Sequence, residues 1–444
     1  LRFKMKQKIV KNQHNNLDFK SYESNLNDYM SVPQFYENRS IFITGSTGFL
    51  GKVLLEKLIR SCPKIRNIYL LIRPKRGNDI QSRLKKILSS PLFDKIRHDE
   101  PSSLNKIIPI YGDIEVEKLG IAEDDEDLLC QTVSVVFHSA ANIKFNEPLK
   151  RSLSINTLGT KRIVELCRKM KSLDALVYIS TVFCNCDRPE IKEIVYGLPY
   201  NFKDIIKQIE SMPDNLIEKE TPFLIGKRPN TYTLTKALTE QYIQTEASDL
   251  PVTIVRPSGV ISSVKEPFPG WVDAWNGPTG IAYFRAIGIA KIVKANESLI
   301  MDIIPVDIVV NLTIASAWRL GTESNKNLII YNCVSGNHNA INYGDTFSLC
   351  TKYAKKYPLE NSIYYPVELM LNKQPYYSIL KFFLEKIPIY LIDFFFWLSR
   401  KNIRLGPVSE KYYRLVEQLE YFSGNQWKFQ DENVQKLLQT LSTE

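Results

Sequence analysis

Residues 40–51 read Ser-Ile-Phe-Ile-Thr-Gly-Ser-Thr-Gly-Phe-Leu-Gly, a short apolar run that ends in a glycine-rich turn. Helical spacing of apolar residues begins directly afterwards and continues to Ile59. In a strand-turn-helix unit the glycines let the backbone approach a pyrophosphate, and the helix N-terminus supplies unpaired N–H groups and a positive dipole end. A bare glycine triplet more often marks only a tight turn, but this context favours a dinucleotide site. The predicted contacts are Gly45, Thr47, Gly48, Phe49, Leu50 and Gly51.

Further apolar runs of strand length follow this unit, and helical stretches separate several of them. Strands that alternate with helices favour an α/β fold, a Rossmann-type doubly wound parallel sheet. The alternation fades after Tyr331, and residues 346–444 are predicted to form a smaller, mainly helical C-terminal domain. We expect a polar N-terminal segment at 1–32 and the Rossmann-type domain at 33–345. The predicted strands are 40–44, 68–72, 107–111, 133–138, 175–180 and 252–255, and the clearest predicted helices are 151–169 and 231–247.

The second predicted strand ends in the basic sequence Arg73-Pro-Lys-Arg. An enzyme that uses NAD presents an acidic side chain there to the ribose hydroxyl. Arg73 and Lys75 instead suit a 2′-phosphate, so the sequence favours NADPH over NADH. The alternative is a solvated basic loop after a strand.

Small and polar residues follow the third and fourth predicted strands. The carboxyl ends of parallel strands form the ligand-binding edge of an open α/β sheet. We expect Asp113 to hydrogen-bond the adenine and Ile114 to lie beside it. The small side chains of Ala140 and Ala141 leave room for the cofactor backbone.

A Tyr-x-x-x-Lys pair, Tyr232 and Lys236, occupies one face of a predicted helix. A phenol with a pKa near 10 is a poor acid-base catalyst at neutral pH, and a neighbouring ammonium is expected to lower that pKa. Tyr377 and Lys381 match the same spacing, but they lie in the C-terminal region, away from the predicted sheet. Thr181, at the end of the fifth strand, supplies a hydroxyl for a substrate carbonyl. The alternatives are a helix-capping threonine and a surface Tyr-Lys pair.

The glycine spacing, together with Tyr232 and Lys236, resembles the extended short-chain dehydrogenases. Longer blocks resemble the fatty acyl-CoA reductases, and this resemblance runs from about residue 33 to the end. It implies Thr181, Tyr232 and Lys236 as catalytic residues, and it implies a nicotinamide-side loop formed by Pro257, Gly259 and Val260. Gly259 departs from the bulkier aliphatic residue that is common in the family, which changes the shape of the pocket. The blocks are residues 230–237, 254–258, 266–273, 276–280 and 302–307.

The resemblance implies a reaction as well as a fold. NADPH would deliver hydride to a long-chain acyl-CoA thioester while Tyr232 and Thr181 stabilise and protonate the oxyanion. CoA would leave, and a second reduction of the bound aldehyde would give a fatty alcohol. The segments 184–229 and 260–300 are expected to hold the acyl substrate. The rival hypotheses are a reductase that stops at the aldehyde, an extended short-chain enzyme acting on a nucleotide sugar or sterol, and a non-catalytic cofactor-sensing protein.

Composition limits the other classes of protein. The 444 residues are 44% hydrophobic and 24% charged, which is typical of a globular chain. Seven cysteines without framework spacing favour reduced thiols, and four histidines without a Cys-x-x-Cys motif argue against a metal site. The net charge of +10 is accounted for by a polyanionic cofactor and a CoA ester, and the chain has no groove-reading motif that would favour nucleic acid.

The most apolar stretch, residues 376–398, is interrupted by charges and a proline, so a membrane-spanning helix is not expected. We favour packing of this stretch within the C-terminal domain over a position at a membrane surface. A membrane surface stays among the expected partners, at the cytosolic face of the endoplasmic reticulum or of a peroxisome. Residues 1–30 lack the apolar core of a signal peptide. Members of the family often continue into a membrane anchor, which we expect to be absent from these residues.

Overall fold

A computed structural model describes residues 30–74, 79–367, 369–371 and 374–441. Seven parallel strands form the central sheet in the order β11-β7-β5-β4-β1-β2-β3. Three small two-stranded sheets pair β10 with β8, β12 with β9 and β13 with β6. The strands are β1 Ser40–Thr44, β2 Asn67–Ile72, β3 Ile107–Tyr111, β4 Val133–His138, β5 Ala175–Ile179, β6 Glu190–Ile191, β7 Val252–Pro257, β8 Gly259–Ile261, β9 Ile292–Val293, β10 Ile303–Pro305, β11 Ile329–Cys333, β12 Leu369–Met370 and β13 Lys428–Phe429.

Helices cover both faces of the central sheet and make up most of the C-terminal region. Short π-helical turns join α6 to α7 at Ser154–Leu158 and α14 to α15 at Phe382–Lys386. The α-helices are α1 Val32–Tyr36, α2 Phe49–Ser61, α3 Ile80–Leu88, α4 Asp94–Asp99, α5 Glu123–Thr132, α6 Leu149–Leu153, α7 Gly159–Lys169, α8 Phe202–Ser211, α9 Asp214–Ile225, α10 Thr231–Glu246, α11 Gly277–Ala286, α12 Val306–Thr322, α13 Tyr343–Lys356, α14 Gln374–Lys381, α15 Ile387–Leu398, α16 Gly406–Gly424 and α17 Glu432–Leu441.

The predicted fold class is confirmed: all six predicted strands are present, and helices follow the sheet. The seventh sheet strand, β11, was missed. It is only five residues long and pairs in parallel with β7, from which it is separated in the sequence by a segment that includes the long helix α12. A short apolar run gives little local signal, so its pairing to a distant strand decides its structure. The predicted segment 1–32 lies mostly outside the described residues.

Two apolar layers hold the helices to the sheet. Side chains alternate along β1, so Ile41 and Ile43 join one layer and Phe42 joins the other. The first layer packs against α2 and α12, and the second packs against α7 and α10. Because both faces are covered, the central strands are mostly apolar, and the few polar side chains in them, such as His138 and Arg256, are buried.

The C-terminal region returns to the rest of the chain at several points. β12 pairs with β9 and β13 pairs with β6, while α17 contacts β11 and α12. The domain bounds of 33–345 and 346–444 remain predictions. The segments that pair with β12 and β13 belong to the two predicted insertions.

The apolar stretch 376–398 forms α14, the connecting π-helical turn and α15. Ile389 is buried, and Ile392 and Phe396 pack beside it against a C-terminal core cluster. The opposite face of α15 is exposed, with Trp397 69% accessible. The inner side of α15 therefore packs within the C-terminal region, as the sequence predicts, while its outer side is exposed. In the described ranges, no helix is both long and apolar enough to cross a membrane.

A buried ion pair joins α10 to the sheet. Arg256 of β7 donates hydrogen bonds to both carboxylate oxygens of Glu240, at 2.8 and 2.6 Å. Both side chains are at most 1% exposed. The same guanidinium donates to the carbonyl oxygens of Lys192 and Ile194, at 2.9 and 2.7 Å. One side chain thereby ties α10, β7 and the segment before α8 together.

Glu240→Gln keeps the shape of the side chain but leaves the Arg256 charge buried without its counter-ion. We expect the free energy of unfolding to fall by about 3–5 kcal/mol, measured by urea denaturation. Glu246→Gln is the control because Glu246 pairs with Lys203 near the surface at 3.0 Å. That substitution should cost less than about 1 kcal/mol. Equal losses in the two variants would contradict the structural role of the buried pair.

Candidate active site

The glycine loop between β1 and α2 has no room for larger residues. Gly45 has φ +77°, and a Cβ there would lie 2.7 Å from the backbone nitrogen of Ala140. A Cβ at Gly51 would collide with the Gly45 carbonyl oxygen. Gly48 caps α2, and its N–H donates to the Gly45 carbonyl at 2.9 Å. The tight turn leaves the first N–H groups of α2 at the cleft, which suits the pyrophosphate of a dinucleotide.

A buried histidine holds the loop region to the neighbouring strand. His138, at the end of β4, makes hydrogen bonds through Nδ1 to Thr44 Oγ1 at 2.7 Å and through Nε2 to Thr160 Oγ1 at 2.9 Å. The Ala140 N–H donates to Thr44 Oγ1 at 3.2 Å. Burial, helped by the nearby Lys236, lowers the pKa of His138 to about 3. His138 is therefore neutral at physiological pH and supports the floor of the cleft.

A cleft of about 570 Å³ runs along the carboxyl edge of the sheet. It gathers most of the residues that the sequence singled out. Gly259 instead lines a second, adjoining cavity. Lys75 lies outside the described residues. The predicted residues that line the cleft are Gly45, Thr47, Gly48, Phe49, Leu50, Gly51, Arg73, Asp113, Ile114, Ala140, Ala141, Thr181, Tyr232, Lys236, Pro257 and Val260.

Two guanidinium groups border the end of this cleft beside β2 and β3. The Arg73 side chain is 56% exposed, and its Nη1 lies 3.5 Å from Asp113 Oδ2. Arg83 of α3 also lines the cleft and donates to the Arg73 carbonyl oxygen. Arg83 was not predicted from the sequence, because the residue that contacts the adenosine ribose is usually found in the loop after β2, and Arg83 lies on α3. Two cations at one end of the cleft suit a phosphate group.

Thr181, Tyr232 and Lys236 line the opposite end of the cleft. The Lys236 amine donates to the Ile179 carbonyl oxygen at 2.7 Å, at the end of β5. The Thr181 hydroxyl donates to the Pro257 carbonyl oxygen at 3.3 Å. The half-buried Tyr232 ring stacks on a phenylalanine at a centroid distance of 5.8 Å. Strand ends and the first turn of α10 therefore bring a hydroxyl, a phenol and an amine into one wall.

Burial dominates the charge state of this wall. It lowers the pKa of Lys236 from 10.5 to about 8, although Glu240 opposes the shift. It also raises the pKa of the Tyr232 phenol, and Cys184 adds to this increase. The expected lowering of the Tyr232 pKa by the ammonium is therefore not what the structure shows. The amine is oriented toward the Ile179 carbonyl, and removal of water disfavours the phenolate.

The second cavity, of about 610 Å³, opens from the same wall. Thr181, Tyr232 and Ser258 line both spaces. Most residues that line this cavity were not predicted from the sequence, because they come from distant parts of the chain. The predicted insertion 260–300 contributes residues to it, whereas 184–229 contributes none to either cavity. Its apolar lining includes Phe145, Phe183, Ile281, Val293, Met301, Ile303, Phe347, Leu415, Leu419, Phe422, Trp427 and Phe429.

The seven cysteines carry free thiols, and six of them are buried. Across the described ranges, no group of three or more His, Cys, Asp or Glu side chains could hold a metal ion. The Thr181 hydroxyl and the Tyr232 phenol face both cavities, and the Lys236 amine faces the first cleft.

Comparisons with known proteins show which sequences this chain is similar to. Two family models, both described as male sterility protein, match residues 43–313 and 384–444, and the first is an NAD-binding model. The chain is 39% identical to fatty acyl-CoA reductase 1 of Xenopus laevis and 38% identical to that of Homo sapiens, with 94% of this chain and 81% of each relative covered. Fatty acyl-CoA reductase 2 of Mus musculus is 37% identical over 93% of this chain and 80% of its own.

Solved structures share the fold at lower identity. The terminal R domain from the myxalamid PKS-NRPS biosynthetic pathway aligns with a TM-score of 0.59 and 21% identity, covering 90% of this chain and 85% of that domain. The reductase domain of a nonribosomal peptide synthetase from Mycobacterium tuberculosis aligns with a TM-score of 0.56 and 18% identity, covering 82% and 79%.

The buried Lys236 amine should lose its proton near pH 8. Reductive ¹³C-methylation followed by an NMR titration measures this pKa, and Lys236→Arg identifies the signal. Between about pH 8 and 10.5 the unfolded chain keeps a proton on this group that the folded chain has lost. The contribution of Lys236 to stability therefore becomes more favourable as pH rises through that window. A midpoint at the ordinary lysine value would show that the amine is not desolvated.

Proposed function

The chain belongs to the fatty acyl-CoA reductase family, and from that premise we propose that it uses NADPH to reduce a long-chain fatty acyl-CoA, through a bound aldehyde, to a fatty alcohol and free CoA. The observation that carries this proposal is the shared wall. Thr181 and Tyr232 stand where the cleft that suits a dinucleotide meets the second, apolar cavity, and Lys236 lies beside them in the cleft. A reacting carbonyl held at this junction has the cofactor on one side and its chain on the other.

The choice of NADPH is supported by the cations at the far end of the cleft. Arg73 and Arg83 line it there, where a 2′-phosphate would need neutralising. Asp113 is the nearest carboxylate to Arg73, and its other oxygen accepts the Glu115 N–H at 3.1 Å. The Asp113 carboxylate is thus held in place beside the strand ends, where it suits the adenine.

The residues of the wall divide the chemistry among them. The bound cofactor supplies a hydride for the carbonyl carbon. Tyr232, whose raised pKa keeps it protonated, donates a hydrogen bond and then a proton to the carbonyl oxygen. Thr181 adds a second hydroxyl beside that oxygen. Lys236 binds the nicotinamide ribose and, when protonated, favours the developing phenolate. The Tyr232 phenolate then takes that proton back from the tetrahedral intermediate, the carbon–sulfur bond breaks, and the electron pair leaves with the sulfur of CoA, which is protonated from water.

The apolar lining of the second cavity supports a fatty acyl chain as part of the substrate. Each methylene group that moves from water into such a space contributes roughly 0.8 kcal/mol. Apolar side chains from α11, α16 and β13 line the space, so a long chain gains far more than a short one. We propose the cytosolic face of an intracellular membrane, of the endoplasmic reticulum or of a peroxisome, as the place of reaction. Free buried thiols and a water-insoluble product support this location.

Arg73→Glu should weaken the binding of NADPH by about 10- to 100-fold, because a charge-assisted hydrogen bond of roughly 1.5–3 kcal/mol is lost. NADH lacks the 2′-phosphate, so its affinity should change much less. Calorimetric titration of both cofactors measures the two effects. The matched control is Lys64→Glu, which makes the same charge change at an exposed side chain outside the cleft. Equal losses of affinity for NADPH and NADH would contradict the assignment of Arg73 to the 2′-phosphate.

The proposed reaction is tested by incubating the chain with NADPH and acyl-CoA esters of increasing length, with products identified by mass. Two NADPH consumed per CoA released means that the alcohol forms. One NADPH per CoA means that the reaction stops at the aldehyde. We expect kcat/KM to rise with chain length, and no acyl-CoA-dependent consumption of NADPH at any length would overturn the proposal.

In the same assay, Tyr232→Phe should lower kcat by about 10²- to 10⁴-fold and leave NADPH binding intact, since the ring is kept and only the proton donor is lost. Tyr377→Phe removes the hydroxyl from the second Tyr-x-x-x-Lys match. Tyr377 lies on α14 and does not line either cavity, so turnover should stay within about twofold. Wild-type turnover by Tyr232→Phe at saturating NADPH would rule out this mechanism.

A further inference from the structure

The outer surface of α14, the connecting π-helical turn and α15 is a continuous apolar face. Its large side chains are between 40% and 69% accessible. Soluble chains seldom expose such a contiguous patch unless it binds something. We call these residues the apolar face: Tyr376, Ile379, Phe382, Phe383, Leu384, Tyr390, Leu391, Phe394, Phe395, Trp397 and Leu398.

Charged side chains within these helices turn away from the apolar face. Glu385 is 1% exposed and accepts the N–H groups of Lys291 and Ile292 at 2.8 and 2.9 Å. Asp393 accepts the N–H groups of Leu405 and Gly406 at 2.6 and 2.8 Å, and so caps α16. The charges that argued against a membrane helix in the sequence therefore leave the outer surface uncharged.

The helices that carry the apolar face pack on the rest of the chain and are not a detached segment. The inner side of α15 packs through Ile389, Ile392 and Phe396 on the core that α11 and α16 form. Lys381 lies with its amine 3.9 Å from the centroid of the Tyr413 ring on α16. Opposite sides of these helices thus meet different surroundings, a protein core and the exterior.

The charged residues that directly follow α15, at one edge of the face, are basic. Arg400, Lys401 and Arg404 follow α15 and are all exposed. Among the described residues from 374 to 404, both acidic side chains are turned inward, as described above for Glu385 and Asp393. A positive edge beside an apolar face complements anionic lipid headgroups above acyl chains. It disfavours a second copy of this chain, because self-association would bring the two basic edges together.

We propose that the apolar face lies in the plane of an anionic membrane surface, with its aromatic side chains inserted at the headgroup boundary and Arg400, Lys401 and Arg404 on lipid phosphates. An interfacial position needs only a helix with one apolar side, whereas a spanning helix needs about 20 apolar residues. The proposed membrane binding depends on this face and not on the proposed reaction. α16 nevertheless connects the face to the second cavity. Val416 of α16 packs in the core beside α15, and Leu415 and Leu419 line the second cavity.

Flotation of the full chain with vesicles tests the proposal. The vesicles are phosphatidylcholine alone or equal parts of phosphatidylcholine and phosphatidylserine. We expect stronger retention on the anionic vesicles and release at high salt. Reversal of the edge, Arg400→Glu with Lys401→Glu and Arg404→Glu, should lower partitioning by at least about a hundredfold, because each basic residue near a lipid surface contributes on the order of 1 kcal/mol.

The apolar face is tested separately by Phe394→Ser with Trp397→Ser, which should abolish flotation. Phe223→Ser is the matched control, since Phe223 is 80% exposed on α9, outside the face. NADPH binding by each variant shows that it is folded. Failure of the wild type to float with either vesicle, or equal flotation of the face variant, overturns the proposal. A lipid-free dimer in sedimentation that the face variant abolishes, without any flotation, would assign the face to a second copy instead. Flotation needs no catalysis, so its failure is distinct from failure of the proposed reaction.

Discussion

The arrangement of the candidate active-site wall depends on one buried ion pair. Glu240 lies one helical turn after Lys236 on α10, and Arg256 directly precedes Pro257 at the end of β7. The pair fixes the helix that carries the phenol and amine against the strand whose end accepts the Thr181 hydrogen bond. Removing two charges from water is costly, and the remaining guanidinium protons are donated to two backbone carbonyls and to the Asn332 side-chain oxygen. The pair thereby specifies one relative position of helix and strand.

The two cavities follow from the order of the strands. The chain builds outward from β1 through β2 to β3, then crosses to β4 on the other side of β1. Adjacent connections at β1 and β4 leave the sheet in opposite directions, which opens a crevice at their carboxyl ends. The glycine loop lies at one of these ends, and the small residues after His138 lie at the other. Connections beyond β7 and the C-terminal helices then enclose the apolar cavity beside it.

Features with a local physical cause could be predicted from the sequence. The glycine loop is one, because the positive φ of Gly45 and the contact of Gly51 with the Gly45 carbonyl both arise within the turn itself. The Tyr232 and Lys236 pair is another, since helical spacing sets which side chains share a face. The apolar cavity could not be predicted, because its walls meet only in the folded chain. The direction of the Tyr232 pKa shift also depended on burial, which spacing does not reveal.

The number of charged residues in a stretch of sequence does not show which way their side chains point. Residues 376–398 are an example. Glu385 and Asp393 lower the mean hydropathy of the stretch, yet both serve backbone N–H groups on its inner side. The outer side is left more apolar than the composition suggests. α16 then stands between this surface and the cavity, so a bilayer at α15 would lie one helix away from the proposed fatty chain. Transfer of a long chain between cavity and bilayer avoids exposing it to water, at roughly 0.8 kcal/mol for each methylene group. An enzyme with a water-insoluble product therefore gains from an apolar exterior on the side where its cavity is built.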